Sequence, residues 1–179
     1  MNRVLELFTT LTHETRFYIV RHGESIANLE RRIQGHTDYP LSANGKRQAE
    51  SAGEWFRGKA IKKVFTSPLQ RASETATIIA KTAHLPHPEV CETLIELDTG
   101  KYSGLTVDEV QKRYPHEQEL FKSKSWAAVS DAETEASLYA RAHLAWEKFI
   151  TEANMVQGDI LAVTHGGFIQ WLVRTTFGS

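Results

Sequence analysis

The sequence contains little of what stabilises a small extracellular protein or a membrane protein. Its 179 residues include a single cysteine, Cys91, so no intramolecular disulfide can form. Five prolines and eleven glycines are too few for a collagenous or low-complexity chain. No stretch approaches the roughly 20 apolar residues of a membrane-spanning helix. These absences exclude a disulfide-stapled miniprotein and a helical membrane protein, and we expect a reducing compartment, most simply the cytoplasm.

The sequence also lacks an excess of charge of either sign. The 21 Lys and Arg residues nearly cancel the 22 Asp and Glu residues, which leaves a formal net charge of -1. Without a global positive field we expect neither nucleic acid nor a membrane surface as a partner, and any anion site must be local. The length suits one compact domain over residues 1–179, in which residues 1–15 form an extension that we interpret as a short surface helix or an irregular leader.

Short apolar runs alternate with stretches of helical spacing along the chain. Unbroken runs of β-forming residues at 17–20, 63–66 and 160–163 are typical of strands buried on both faces of a parallel sheet. Each is followed by a helical pattern, the first capped by Ser42 and the second by Ser67 with Pro68 in its first turn. The sequence therefore predicts an α/β fold: a three-layer sandwich with a mostly parallel central sheet and helices on both faces.

Other segments are less regular. Residues 84–92 are predicted to form a loop, and Pro115 interrupts a helical pattern over 106–121. The chain stops 14 residues after His165, so either it is truncated or the sheet lacks a C-terminal edge strand. An open edge exposes backbone hydrogen-bonding groups and would favour a homodimer.

Positively charged or chargeable side chains follow the predicted strands. Arg21 and His22 come directly after the first strand, Arg71 lies in the first turn of the helix after the second, and His165 follows the last strand. Ligands of open α/β sheets bind outside the carboxyl ends of the strands, so these groups should meet in one crevice. Such a cluster is tolerable around a polyanion, and phosphate fits the forked donors of arginine. Backbone amides can approach that anion closely at Gly23, Gly166 and Gly167.

Three ordered motifs carry a resemblance to a known family. They are RHGES at residues 21–25, TSPLQRA at 66–72 and THGG at 164–167, accompanied by Asn28, Gly35 and Asp38. From about residue 17 to near the C-terminus, the chain resembles the histidine phosphatase superfamily, also called the phosphoglycerate mutase-like family, and in particular its phosphatase branch.

The resemblance implies a role for each of the clustered residues. His22 would be the nucleophile that becomes phosphorylated, while Arg21, Arg71 and His165 would bind the transferring phosphoryl group and Asn28 would contact it. The rest of the implied substrate-binding set is Ser25, Gln34, Gly35 and Gly166.

The chemistry of these residue types supports such roles. A neutral imidazole attacks phosphorus with one ring nitrogen if the other donates a hydrogen bond that fixes the tautomer. Two arginines and a protonated His165 would stabilise the charge of the transition state, so we expect no metal and no cofactor. A cluster of His84, His87 and Cys91 has a spacing that fits no standard zinc site.

The proton donor is less sharply defined. The resemblance places Glu96 at the position of the family's acid, which would protonate the leaving alkoxide. Asp98 is two residues away and would face the same way on a strand, and Glu24 adjoins the nucleophile. We interpret Glu24 as a helix-entry carboxylate and Asp38 as a turn residue.

The function predicted from the sequence is hydrolysis of a small phosphomonoester, with inorganic phosphate as product. The segment 100–105 and the short stretch between Glu96 and His165 resemble the phosphatase branch. One alternative is a mutase, which needs a second anion site to which Lys101, Lys122 and Lys124 would contribute. The other is a non-catalytic domain that binds phosphorylated ligands. His36, in the loop after the nucleophile, would line the substrate mouth.

Overall fold

The computed structural model describes residues 3–178, in which a four-stranded sheet forms the centre of the molecule. The ends of the predicted domain and extension, residues 1, 2 and 179, lie outside the described residues. The strands are β1 (Phe17–Arg21), β2 (Ile61–Thr66), β3 (Glu89–Val90) and β4 (Asp159–Thr164). They run parallel in the order β1-β4-β2-β3.

Eight α-helices surround the sheet in the described part of the chain. They are α1 (Arg3–Phe8), α2 (Ile26–Leu29), α3 (Ala43–Phe56), α4 (Gln70–Ala83), α5 (Val107–Arg113), α6 (Pro115–Lys124), α7 (Glu135–Val156) and α8 (Gly166–Phe177). Short 3-10 turns cover Glu92–Leu94, Gly100–Tyr102 and Ser125–Ala128. Over residues 3–178, no helix combines the length and the apolar character needed to cross a bilayer.

Strand β4 shows why the sheet is covered on both faces. Its residues 160–163 are all fully buried, and successive side chains point to opposite faces. Ile160 and Ala162 pack into the core under α1, α7 and α8, whereas Leu161 and Val163 pack into the core under α3 and α4. The predicted three-layer α/β fold is therefore confirmed.

One edge of the sheet is formed by β1. This strand pairs with β4, and within residues 3–178 no strand lies on its outer side. The opposite edge is formed by β3, a two-residue strand inside the segment that we predicted as a loop over 84–92. That prediction missed β3 because two residues are too few to show a strand period.

The N-terminal extension contains a short helix, α1, one side of which packs against the core. Val4 in α1 is only 1% exposed, and the Phe8 ring lies 5.1 Å from the Trp146 ring of α7 and 5.9 Å from the Phe17 ring of β1. The short helix expected here is α1, and the packing of its apolar residues against the core beneath α7 is what the local sequence does not show.

Helix α4 begins two residues later than the sequence indicated. Ser67 and Pro68 precede it, and its N-cap residue, Leu69, makes no side-chain cap. The carboxylate of Asp38 caps the helix instead, because its Oδ1 accepts a hydrogen bond from the backbone N–H of Gln70 at 2.7 Å. Asp38 thus caps a distant helix, a role that local sequence signals do not reveal.

The carboxyl ends of three strands finish level with one another. Arg21 of β1 pairs with Thr164 of β4, and Thr66 of β2 pairs with Val163. The ladder continues past the strand ends, because the N–H of His22 donates to the Thr164 carbonyl at 2.9 Å and the N–H of Ser67 donates to Val163 at 3.0 Å. The residues that follow the three strands are consequently brought together at one edge.

Candidate active site

His22 follows β1 directly and is held in one orientation. Its Nδ1 lies 2.6 Å from the carbonyl oxygen of Gly23. A carbonyl oxygen only accepts hydrogen bonds, so Nδ1 carries the proton and Nε2 keeps its lone pair when the ring is neutral. The N–H of Gly23 donates in turn to Thr75 Oγ1 at 3.0 Å, which helps to fix the residue whose carbonyl orients the ring.

The surroundings of His22 keep it uncharged. Burial of the ring, together with the nearby positive charges of Arg71 and Arg21, lowers the pKa of His22 to about 4, although the hydrogen bond to Gly23 acts in the opposite direction. At neutral pH the ring is therefore uncharged, with a free lone pair on Nε2.

His165 lies beside His22, with the two ring centroids 5.1 Å apart. Its Nε2 is 2.7 Å from Ser67 Oγ, and its Nδ1 is buried with no hydrogen-bond partner within residues 3–178. Ser67 Oγ accepts the N–H of Leu69 at 3.3 Å, so its own hydrogen can point to Nε2. Nδ1 then carries a proton that can be donated to a ligand.

The surroundings of His165 in the protein disfavour a positive charge on its ring, and the protonated ring expected in the transition state stays a prediction. Its pKa is lowered chiefly by burial and further by the positive charge of Arg71 and by His22. The sequence could not reveal this, because the loss of solvent around the ring comes from strands and helices distant in the chain.

Arg71, in the first turn of α4, is fully buried. Its Nη1 donates to the carbonyl of Thr37 at 2.9 Å and its Nη2 to the carbonyl of Gly35 at 2.8 Å. Its Nε has no hydrogen-bond partner in the described part of the chain. The guanidinium thus holds the loop after α2 and still offers a buried donor.

A cleft of about 270 Å³ opens above His22. Its lining residues are Arg21, His22, Glu24, Asn28 and Gln48. Arg21 is exposed to solvent, so its guanidinium is accessible from the cleft. His22, Arg21 and Asn28 therefore line the same cleft, and their roles there stay predictions.

Three other members of the predicted binding set are engaged within the protein. Ser25 Oγ donates to Gln34 Oε1 at 2.7 Å and also forms the capping box of α2 with Asn28. Gly35 has a φ of +49° and gives its carbonyl to Arg71. These contacts indicate a supporting role for Ser25, Gln34 and Gly35, and their contact with substrate stays a prediction.

Glu96 lies at the N-terminus of α8, next to His165. Its Oε1 accepts hydrogen bonds from the N–H groups of Leu97 at 2.8 Å and Phe168 at 2.9 Å, and its Oε2 accepts from Gly167 at 3.2 Å. Gly167 fits closely here, since a Cβ on it would lie 2.6 Å from Oε1. On the preceding residue, Gly166, a Cβ would lie 3.4 Å from Arg21 Nε, which places Arg21 beside the same helix end.

The two other candidate acids each accept a hydrogen bond from another residue, although Glu24 also lines the cleft above His22. Asp98 does not share a strand with Glu96, because residues 95–98 belong to no strand. Its Oδ1 accepts the N–H of Gly100 at 2.8 Å, and its Oδ2 lies 3.7 Å from His36 Nδ1. Glu24 accepts a hydrogen bond from the hydroxyl of Ser42 at 2.6 Å and thereby stabilises the start of α3.

No metal-binding cluster is present among residues 3–178. Within that range, no three or more His, Cys, Asp and Glu side chains group closely enough to hold an ion, and this applies to His84, His87 and Cys91.

Several residues that shape the site are not apparent from the sequence. Ser67 was interpreted as a helix cap but contacts His165, and Thr75 holds the peptide after His22. Arg141 and Glu133 were not singled out, although they hold the segment that carries Glu96. Ser67 lies within the TSPLQRA motif, which offered a signal; Arg141 and Glu133 are ordinary charged residues of a helical pattern.

Comparison with protein families gives a match over most of the chain. The family model described as histidine phosphatase superfamily (branch 1) matches residues 17–179. A phosphoglycerate mutase-type relative, the probable phosphoglycerate mutase GpmB of Salmonella arizonae, is 33% identical over 168 residues, which cover 90% of this chain and 74% of the relative.

A further relative and a solved structure show the same similarity. The uncharacterized phosphatase PhoE of Bacillus subtilis is 44% identical over 101 residues, which cover 56% of this chain and about half (52%) of the length of PhoE. The structure of YhfR from Bacillus stearothermophilus superposes with a TM-score of 0.80 at 29% identity, over 90% of this chain and 79% of YhfR.

Proposed function

Because the chain belongs to the histidine phosphatase superfamily, we propose that it hydrolyses small phosphomonoesters through a phosphohistidine at His22, with Glu96 as proton donor. The superfamily contains both phosphatase-named and mutase-named relatives, so the activity is phosphoryl chemistry in either case. The choice of hydrolysis, the intermediate and the residue roles are the proposal.

The observation that carries the proposal is the pairing of an oriented nucleophile with unpaired buried donors. His22 has its Nδ1 proton committed to Gly23, which leaves Nε2 free to attack. Beside it, Arg71 Nε and His165 Nδ1 are buried without protein partners within residues 3–178. A buried donor without a partner is costly, and the oxygens of a bound phosphoryl group would satisfy both.

The proposed reaction has two steps. In the first, His22 Nε2 forms a bond to phosphorus while the bond from phosphorus to the ester oxygen breaks, and Glu96 gives its proton to the departing oxygen. In the second, water attacks the phosphohistidine, Glu96 takes back a proton, and inorganic phosphate leaves. Oε2 of Glu96 suits this proton transfer, because its single hydrogen bond is longer than the two at Oε1.

Positive charge at the site comes from the chain itself. Arg21 and Arg71 flank His22, and both act on its pKa. Preorganised donors of this kind stabilise the charge of the transferring phosphoryl group without reorganisation. We therefore expect turnover to survive a chelator; abolition by chelator and recovery with a divalent ion would contradict this part of the proposal.

A mutase is the second candidate, since the GpmB relative carries that name. A mutase must retain a bisphosphorylated intermediate, which needs a second anion site. Lys101 pairs with Glu117 at 2.7 Å and Lys122 pairs with Glu119 at 2.7 Å, while the side chain of Lys124 lies outside the described part of the chain. These pairings favour the hydrolase. Positional exchange of phosphate on a substrate primed with a bisphosphate would favour the mutase.

The deciding experiment is to trap the phosphoenzyme. The protein is mixed with a 32P-labelled phosphomonoester and quenched, and the adduct is tested in acid and in base. We expect an acid-labile, base-stable label on the wild-type protein and on His87→Ala, an exposed loop histidine, and none on His22→Ala. An unlabelled wild-type protein that demonstrably binds the ester would support the non-catalytic alternative.

A further inference from the structure

The segment that carries Glu96 has no regular structure of its own. Residues 95–98 lie between the 3-10 turns Glu92–Leu94 and Gly100–Tyr102 and join neither helix nor strand. Backbone carbonyls outside regular structure need other hydrogen-bond partners when they are sheltered from water. Those partners determine where the carboxylate of Glu96 lies.

Arg141 of α7 supplies most of these partners. Its Nη1 donates to the carbonyl oxygens of Thr93 at 3.0 Å and Ile95 at 2.6 Å, and its Nη2 lies 3.5 Å from the carbonyl oxygen of Glu96. The remaining carbonyl of this stretch, that of Leu94, accepts the hydroxyl of Thr164 at 2.6 Å. One guanidinium therefore spans the backbone immediately before and at the proposed acid.

Arg141 is itself fixed by Glu133 in a bidentate pair. The Nε to Oε1 distance is 3.0 Å and the Nη2 to Oε2 distance is 2.6 Å, and the two side chains are only 14% and 12% exposed. Although burial opposes it, the contact with Arg141 holds the pKa of Glu133 below its usual range. The planar fork of arginine matches a carboxylate in this geometry, which lysine cannot reproduce.

The guanidinium of Arg141 also contacts α8, the helix whose N-terminus binds the carboxylate of Glu96. Arg141 lies 4.1 Å above the ring of Phe168, and the N–H of Phe168 donates to Glu96 Oε1 at 2.9 Å. The backbone before Glu96 is thus held from α7, the carbonyl oxygen of Glu96 also lies 2.7 Å from His36 Nε2, and the carboxylate is held from α8. The contacts from α7 and to the carboxylate meet at one residue, Phe168, three positions after His165.

We propose that Arg141, locked by Glu133, is a positioning residue that sets Glu96 for proton transfer to the leaving group. The inference rests on the proposed function of Glu96 as the acid. Arg141 touches no reacting atom, so its loss should act only where the acid is needed. A small error in the placement of a proton donor slows a reaction with a poor leaving group far more than one with a good leaving group.

The test compares kcat/KM for two esters of different leaving group. Glycerol 2-phosphate needs protonation of its alkoxide, whereas p-nitrophenyl phosphate releases a stabilised phenolate. For Arg141→Lys and Glu133→Gln we expect kcat/KM to fall about tenfold or more with glycerol 2-phosphate and by less than about threefold with p-nitrophenyl phosphate. Arg57→Lys and Glu147→Gln, which alter half-exposed ion pairs away from residues 93–96, should leave both values unchanged.

Glu96→Gln distinguishes failure of this inference from failure of the proposed function. If Glu96→Gln shows the leaving-group dependence and neither Arg141→Lys nor Glu133→Gln does, the positioning role is wrong and the acid role stands. If Glu96→Gln itself slows both esters equally, the acid role is wrong and the positioning role falls with it. Equal losses for both esters in Arg141→Lys and in Glu133→Gln would indicate a structural role alone. The phosphoenzyme assay reports on His22 independently of all three outcomes.

Discussion

The two sides of the site are built in different ways. The nucleophile side consists of residues that follow the level ends of β1, β2 and β4, where the parallel ladder itself positions His22, Ser67 and His165. The acid side consists of irregular backbone, whose carbonyls are taken by side chains such as Arg141 and Thr164. A ladder positions several residues at once, whereas a side-chain contact positions one backbone group at a time.

The difference teaches where changes of sequence should be tolerated. A strand end tolerates substitution of its surroundings because many backbone hydrogen bonds act together. A segment held by individual side chains depends on each of them, because removal of one leaves buried carbonyls unpaired. We therefore expect substitutions on the acid side to act selectively on proton transfer, and substitutions on the nucleophile side to act on phosphoryl transfer as a whole.

Arg71 connects the two sides and should give the largest effect. Its positive charge lowers the pKa of both His22 and His165. It also donates hydrogen bonds to the carbonyls of Gly35 and Thr37. His36, which lies between these two residues, has its Nε2 2.7 Å from the carbonyl oxygen of Glu96. Arg71→Lys keeps the charge and loses the fork, so we expect kcat/KM to fall by about two to three orders of magnitude with every ester.

The measurement for Arg71→Lys is steady-state kinetics with p-nitrophenyl phosphate and glycerol 2-phosphate, with circular dichroism to confirm folding. Arg57→Lys, an exposed arginine at the end of α3, is the matched control. A loss confined to the ester with the poor leaving group would assign Arg71 to the acid side alone and contradict its connecting role.

The pH dependence of stability isolates the nucleophile side. The pKa of His22 is lowered from 6.5 to about 4 in the folded protein, so the unfolded chain binds the extra proton as the pH falls through this range. Relative to a variant with a residue that does not titrate at position 22, the free energy of unfolding therefore decreases by about 3 kcal/mol between pH 6.5 and pH 4. Denaturant unfolding of wild type and His22→Asn at several pH values measures this.

His22→Asn keeps a side-chain N–H that can donate to the Gly23 carbonyl. The variant therefore loses the titratable group but retains a donor for this hydrogen bond. We expect the free energy of unfolding of wild type, relative to the variant, to decrease steadily from pH 7 to pH 4. His87→Asn, at an exposed loop position, should follow the wild-type profile. A wild-type profile parallel to that of His22→Asn would show that the ring is not held neutral by folding.

Gly167→Ala perturbs the acid side without changing an ionisable group. A Cβ here would lie 2.6 Å from Glu96 Oε1, so the carboxylate must shift. We expect kcat/KM with glycerol 2-phosphate to fall about tenfold and with p-nitrophenyl phosphate to change little. The control is the same substitution in a Glu96→Ala background, where the clash is removed and no further loss is expected. An equal loss in both backgrounds would place the effect in α8 itself.

The contrast between the two sides also explains how far the sequence could be interpreted. The strands at 17–20, 63–66 and 160–163 are short unbroken runs of β-forming residues, and they predict the parallel sheet because burial on both faces removes the alternation of polar and apolar residues. The motif residues that follow them include His22 and His165. The residues of the nucleophile side could therefore be predicted from the sequence pattern.

The structure of the acid side was harder to predict from the sequence because it depends on contacts between residues that are distant in the chain. Glu96 and Asp98 were expected to share a strand, but the backbone there is irregular, and its geometry is set by Arg141, 45 positions after Glu96. Likewise the start of α4 depends on Asp38, 32 positions before Gln70. No local pattern encodes such contacts, and the burial that lowers the pKa of His165 is hidden for the same reason.

Asp98→Asn should have the smallest effect and decides between the two carboxylates. Asp98 is 43% exposed and lies 3.7 Å from the half-exposed His36, and ion pairs of this kind contribute little. Asn keeps an oxygen that can accept the Gly100 N–H, so we expect kcat/KM for glycerol 2-phosphate to change less than about threefold. A loss as large as that of Glu96→Gln, together with the same dependence on the leaving group, would move the acid role to Asp98. The half-exposed carboxylate, rather than the one held at the start of α8, would then be the proton donor.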